Sequence, residues 1–154
     1  MDNQDRQILN IIQLEGRRPY AEIGNVVGLS ITAVKDRLDK LLKRGSLKKF
    51  SAEVGIKAAG YDVLAFVSIG IDKPEDCNGF ETHVLTIPQV QECHHVTGAF
   101  NYLVKILAKD MSDLETLLST QIKIPGIVSR TETTIVFSSI KNSSFVDCLA
   151  SERR

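Results

Sequence analysis

"VGLSITAVKDRLDKLL", residues 27–42, reads as a glycine-centred turn running into a helix. Val34, Leu38, Leu41 and Leu42 recur every three or four residues, the period of one buried helical face. The other side presents Ser30, Thr32, Ala33, Lys35, Asp36 and Arg37, a tip of small, hydrogen-bonding and charged residues. Ser30 is placed to cap this helix by accepting a backbone N–H. Gly28 supplies the left-handed exit that ends whatever helix comes before it.

Working outward, residues 20–27 form that preceding helix, with Ile23, Val26 and Val27 predicted inward and Ala21 and Gly24 leaving room for a close crossing. Pro19 suits its start, where a missing N–H costs nothing. Further upstream, residues 2–15 read as a helix whose buried stripe is Ile8, Leu9, Ile12 and part of Ile11. Asp2 and Asp5 lie near the positive end of its dipole, and Gly16 stops it. A short helix, a three-residue turn with Gly and a longer helix make a helix-turn-helix. In that arrangement the second helix enters the major groove of DNA. Small residues then permit close approach, hydroxyls bond phosphate or base edges, and Lys35 and Arg37 supply charge. Most charged helix faces simply meet water, and helix pairs with Gly turns also occur in enzymes, so spacing alone leaves both alternatives open. Gly45 ends the long helix, and "LKKFSAEV" (47–54) alternates weakly, like a short wing strand carrying Lys48 and Lys49 towards phosphates or solvent.

Net charge is zero over 154 residues, but residues 1–54 hold ten Lys/Arg against seven Asp/Glu, and the remainder the reverse bias. A basic first third on an acidic remainder suits a nucleic-acid module joined to something else. Composition is that of an ordinary globular protein. No apolar run spans a membrane, and no leader pattern opens the chain, so a cytoplasmic location is expected. Cys77, Cys93 and Cys148, odd in number and unpaired in spacing, favour reduced thiols.

After the linker "GIKAAG" (55–60) the chain turns β-branched. Residues 61–71 predict a strand apolar on both faces, 78–87 a helix, 90–97 a strand and 102–108 a strand. Residues 112–122, capped by Ser112, predict a helix, and 128–137 a last strand. Each helix leads to Ile-Pro and then a strand. Strand–helix–strand written twice is the split βαβ, ferredoxin-like pattern. Its first and third strands are central, which agrees with their apolar character. Two helices cover one face of such a sheet. Yet the first strand has Val63, Ala65, Val67 and Ile69 on one side and Leu64 and Phe66 on the other, so a second apolar face needs a partner surface, most simply a second copy. Two reading helices about ten base pairs apart would address a palindromic site. The fold class is therefore α+β, with residues 1–46 the helix-turn-helix, 47–60 wing strand and linker, 61–141 the ferredoxin-like domain and 142–154 a tail. In the tail Phe145, Val146 and Leu149 leave docking on a neighbour and fraying both open.

The order Arg17, "AEIG", "VGLSITAV", Arg37-Leu38, Gly45 and "KKFSAEV", followed by "VTGAFNYLVKI" and "SRTETTIVF", resembles the Lrp/AsnC (feast/famine) transcription regulators over nearly the whole chain. "GYDVLAFVSIGI" and "TETTIVF" look nearer to the asparagine-responsive branch. Arg18 departs from the pattern, standing where a serine or threonine cap is frequent. The resemblance implies a sequence-specific regulator of double-stranded DNA. It also implies homodimers gathered into octamers, and a small-molecule effector, typically an amino acid, bound between dimers. It implies no catalytic residue and no cofactor. Two alternatives stand beside it: an architectural DNA-bridging protein without effector, and a haem-pathway decarboxylase of similar build, which would use His94 and His95.

For the effector, the turn Gly98, Ala99, Phe100, Asn101 leading into Tyr102 is the best candidate, with Thr131, Thr133 and Thr134 on a neighbouring element. A glycine can expose its N–H to a carboxylate, and an amide both donates and accepts. Many relatives of this type carry an acid where Asn101 stands, and a neutral amide suits an ammonium group less well. "CHH" (93–95) suggests a metal, but strand alternation puts Cys93 and His95 on one side and His94 on the other. Two ligands fall short of a tetrahedral site, so no metal is expected.

Overall fold

The computed structural model describes residues 1–150. They form two compact units: Val54–Ile140, and Met1–Glu53 joined by the chain from Lys141 onward.

The first unit holds α1 (Asn3–Leu14), α2 (Tyr20–Val27) and α3 (Ile31–Lys43). Asp2 and Asp5 start α1 with a reciprocal capping box. The Asp5 N–H donates to Asp2 at 2.8 Å, and the Asp2 N–H donates to the Asp5 carboxylate at 3.1 Å. Pro19 itself stands at the N-cap of α2, one place after Arg18, and has no side-chain acceptor to cap the helix with. Gly28, at φ 69°, closes it in the left-handed conformation. Ser30 Oγ accepts the Ala33 N–H at 3.2 Å and starts α3. Ile8, Leu9 and Ile12 of α1, Ile23 and Val27 of α2, and Val34, Leu38 and Leu41 of α3 make one core. Val26, predicted inward, is 57% exposed. An eight-residue helix turns only one narrow stripe inward, and Ile23 and Val27, four apart, fill it.

Gly24 is buried where the turn and α3 both close over it. A Cβ there would stand 2.4 Å from the Leu29 carbonyl oxygen and 3.6 Å from Val34 Cγ2. The Leu29 N–H in turn donates to the Gly24 carbonyl at 2.9 Å, so the turn folds directly over residue 24. Gly24→Ala should therefore destabilise this unit by about 1–3 kcal/mol, the usual cost of overpacking. A thermal melt checks this, and an unshifted midpoint would show that the turn yields.

The predicted wing strand at 47–54 does not form. A strand exists through a hydrogen-bonded neighbour. Within this segment the Leu47 N–H bonds back to Leu41, and residues 48–53 follow as irregular, exposed chain. Lys48 and Lys49 thus sit on a coil and not on a strand.

The tail docks on α1. Gln13 pairs with Val146 on both sides, accepting its N–H at 2.8 Å and donating to its carbonyl at 3.0 Å. Asn10 accepts the Cys148 N–H at 2.9 Å and donates to Asp147 at 3.0 Å. Residues 146–148 are thus held by the chain's own first helix. Residues 151–154 of the predicted tail lie outside the described residues.

The second unit is a four-stranded antiparallel sheet in the order β2-β3-β1-β4, with β1 Val63–Gly70, β2 Val90–His95, β3 Tyr102–Ala108 and β4 Arg130–Ile135. β1 and β3 are central, as their apolar character requires. A 3₁₀ turn, Pro74–Asp76, leads into α4 (Cys77–Val84). Asp110, and not Ser112, caps α5 (Met111–Leu117), its side chain accepting the Asp113 N–H at 2.8 Å. The helix widens into a π turn over Leu118–Ile122, closed by the Lys123 N–H on the Leu118 carbonyl. Ala65, Val67 and Ile69 pack with Val104, Ile106, Phe80, Val84, Leu114 and Leu117 into the helix-side core. On the other face Leu64, Phe66 and Ser68 lie in register with Leu107, Lys105 and Leu103. Among the described residues no helix is long and apolar enough to cross a membrane.

Candidate nucleic-acid interface and effector turn

Packing of Val34, Leu38 and Leu41 inward leaves Thr32, Lys35 and Asp36 exposed on the outer side of α3, with Ala33 half-buried beside them. Ser30 spends one lone pair on the cap and keeps its O–H to donate. Lys48 and Lys49 are exposed on the coil that follows the helix.

Arg37 is different. Its Nη1 donates to Asp2 Oδ2 at 2.6 Å and to Asp5 Oδ1 at 2.7 Å, and its Nη2 donates to Gln4 Oε1 at 3.0 Å. Gln4 passes the link on, donating to the Val27 carbonyl at 3.0 Å. One guanidinium thereby ties α3 to the start of α1 and, through Gln4, to the end of α2. Its side chain is 27% exposed. The Asp2 carboxyl is held below its ordinary value, first by the Asp5 N–H and then by the Arg37 hydrogen bond. The two carboxylates raise the Arg37 pKa correspondingly. In the chain by itself, Arg37, expected at the DNA, is thus held by Asp2, buried Asp5 and Gln4.

In the second unit, Gly98 takes φ 123°, a conformation that favours glycine, with nothing near its missing Cβ. The Asn101 carbonyl accepts the Val96 N–H, its N–H donates to Ile69, and its Oδ1 accepts the Ile71 N–H at 2.8 Å. Asn101 therefore staples the start of β3 to the end of β1. Tyr102, expected at the effector site, points the opposite way, into the helix-side core. It is 2% exposed, and its hydroxyl donates to Glu81 Oε1 at 2.7 Å. Phe80 flanks the ring with centroids 5.0 Å apart, and His95 stacks on it at 4.9 Å. Burial, then the Glu81 bond, pushes the Tyr102 hydroxyl well above the ordinary tyrosine range. Strand alternation is the reason: with Val104 and Ile106 inward, Tyr102 must be inward too.

Thr131 and Thr133 stand in register with Ile69 and Val67, on the helix side, whereas Thr134 pairs with Phe66 on the open face. The three hydroxyls do not converge. The residue that does join the turn is one that reading by motif overlooked. Arg130 lies over the Phe100 ring, 4.9 Å from its centroid, and donates to the Ala99 carbonyl. A signal existed: Arg130 pairs with Gly70 across the strands, and a glycine at the end of an apolar strand marks the close approach of something large. Cys93 and His95 face the helices, and His94 faces the open side beside Glu92 at 3.2 Å. Among the described residues no group of three or more His, Cys, Asp or Glu is placed to hold a metal ion.

Residues 1–42 match the AsnC-type helix-turn-helix domain, and residues 64–145 match the Lrp/AsnC ligand binding domain. The chain belongs to the Lrp/AsnC family. It is 35% identical over 147 residues to the leucine-responsive regulatory protein of Escherichia coli K12, covering 94% of this chain and 89% of that one. Its structure is similar to that of E. coli AsnC, with TM-score 0.88 and 26% identity over 94% of this chain and 97% of that one. It is also similar to the feast or famine regulatory protein of Mycobacterium tuberculosis complexed with L-methionine, with TM-score 0.86, 26% identity and the same coverages. As a member of the Lrp/AsnC family the chain is a transcriptional regulator that binds DNA through its helix-turn-helix, and its relatives are regulators, not enzymes.

Proposed function

We propose that this regulator reads its operator with the outer side of α3 and takes a small metabolite, of amino-acid type, at the turn Gly98–Asn101, in an assembly of identical subunits. The observation that carries the reading is the split of labour along α3. Arg37 is committed inward, while Ser30, Thr32, Lys35 and Asp36 are free to meet a groove. Lys48 and Lys49 add phosphate contacts. Lys35→Ala should weaken operator binding by about 1–3 kcal/mol and relax specificity if it reads a base. If it touches only phosphate, affinity should fall equally on all sequences, with a salt slope shallower by about one. Fluorescence anisotropy on the chain's own upstream DNA, over a range of salt, separates these. Unchanged affinity would remove α3 from the groove.

Support for the assembly comes from the open sheet face, where Leu64, Phe66 and Leu103 are only half-buried, and from fully exposed Phe137 and Ile140 just beyond β4. A dimer, and from it an octamer, would cover them. Ligand and operator would then be coupled through assembly, and each must change the other's affinity by the same factor. Sedimentation with and without amino acids tests this. An assembly and a DNA affinity indifferent to every amino acid would favour an architectural, effector-free role instead.

A further inference from the structure

We propose that Arg130 is the anion anchor of the effector site, and that the ligand is selected by a carboxylate and not by an ammonium group. This rests on the reading of Gly98–Asn101 as the effector turn. The guanidinium is already oriented by that turn, flat over Phe100 and bonded to the Ala99 carbonyl. Its stem crosses Gly70, where a Cβ would come within 2.5 Å of Arg130 Cγ and 2.7 Å of Nε, so only glycine leaves the lane open. A guanidinium carries five N–H groups in a rigid fork, and Ala99 uses one. Among the described residues Arg130 has no ion-pair partner, so its charge is unspent. What that fork fits best is a planar carboxylate.

An ammonium group, by contrast, needs acceptors, and two of those at the turn already hold a hydrogen bond. The Asn101 side-chain oxygen accepts the Ile71 N–H, and the Ala99 carbonyl accepts Arg130. Unspent donors in one rigid fork, beside two acceptors that already hold a hydrogen bond, favour an anion there. A 2-oxo acid should therefore serve as well as the amino acid of the same side chain, whereas the corresponding carboxamide should not.

The test is calorimetric titration of the full-length protein with L-methionine, its 2-oxo acid and L-methioninamide, in the wild type and in Arg130→Gln and Arg130→Lys. The expected result is affinities for the two carboxylates within about threefold of each other, and the amide at least about tenfold weaker. Arg130→Gln should lose about tenfold or more for both carboxylates, and Arg130→Lys should recover part of it, a point charge replacing a fork. The ligand-free variants should melt and sediment like the wild type. The amide binding as well as the oxo acid, methionine binding where the oxo acid does not, or Arg130→Gln binding unchanged would each overturn the inference while leaving an effector site in place. A change in ligand-free sedimentation on Arg130→Gln would also overturn it, by assigning the guanidinium to a neighbouring subunit. If neither these compounds nor a panel of all amino acids binds the wild type, the effector reading itself fails, and the inference with it.

Discussion

Arg37→Ala is expected to lower the unfolding free energy of the N-terminal unit by about 2–3 kcal/mol, while leaving the outer side of α3 chemically unchanged. The variant removes a cation from two carboxylates, one of them, Asp5, buried at 7% exposure. Leaving a buried charge without its partner is the costly half of breaking an ion pair, and a hydrogen bond to a charged group contributes about 1.5–3 kcal/mol. The network also predicts a pH dependence. The Asp2 pKa is lowered in the folded chain, so its contribution is present above the unfolded value, near 4, and is lost as pH falls through the folded one. The wild-type unit should therefore weaken on acidification below about pH 4, and Arg37→Ala should weaken less steeply there, the Asp5 N–H retaining its share. Melts at several pH values between 7 and 3 measure both effects. On DNA, Arg37→Ala should reduce affinity for all sequences alike, in proportion to the unfolded fraction, with the salt slope unchanged. A loss confined to the operator, in a protein as stable as the wild type, would return Arg37 to the groove.

Phe66→Glu should separate the subunits without unfolding them. Phe66 is half-buried on the open face, in register with Lys105 and Thr134, whereas its neighbour Val67 is wholly buried beneath the helices. Lys105 is already paired with Glu92 at 2.9 Å, and a carboxylate brought into an apolar contact without a partner of its own costs several kcal/mol. About 5 kcal/mol raises a dissociation constant by three to four powers of ten, enough to undo a nanomolar dimer at micromolar protein. The variant should sediment as a single chain, melt close to the wild type, and bind a palindromic operator far more weakly, since one reading head cannot hold two half-sites. The control Val67→Glu should instead unfold the sheet. An unaltered sedimentation coefficient for Phe66→Glu would place the subunit contact elsewhere.

Much of this architecture is legible along the chain. The period of Ile8, Leu9 and Ile12, the Ser30 cap and the Gly28 exit specify three helices within a residue or two. The twice-written strand–helix–strand order specifies the sheet. These features depend on residues one to four positions apart, so a linear reading captures them. The misreadings share one cause, competition settled by distant parts. Val26 lost its inward place because Ile23 and Val27 filled the stripe. The wing strand found no neighbour to pair with. Asp110 stood closer than Ser112 to the first free N–H groups of α5. Tyr102 followed its strand into the core and not its motif into the turn.

From its residues alone, then, this protein determined which segments are helix or strand, which face of each is apolar, and that a DNA-reading head precedes a sheet with two apolar faces. Only the tertiary structure decided where the long cations point. Arg37 finds its carboxylates 32 and 35 residues away, and Arg130 its carbonyl 31 residues away. Local spacing sets which face a side chain leaves from. Its partner is chosen by the folded backbone, because charge acts through space and not along the chain.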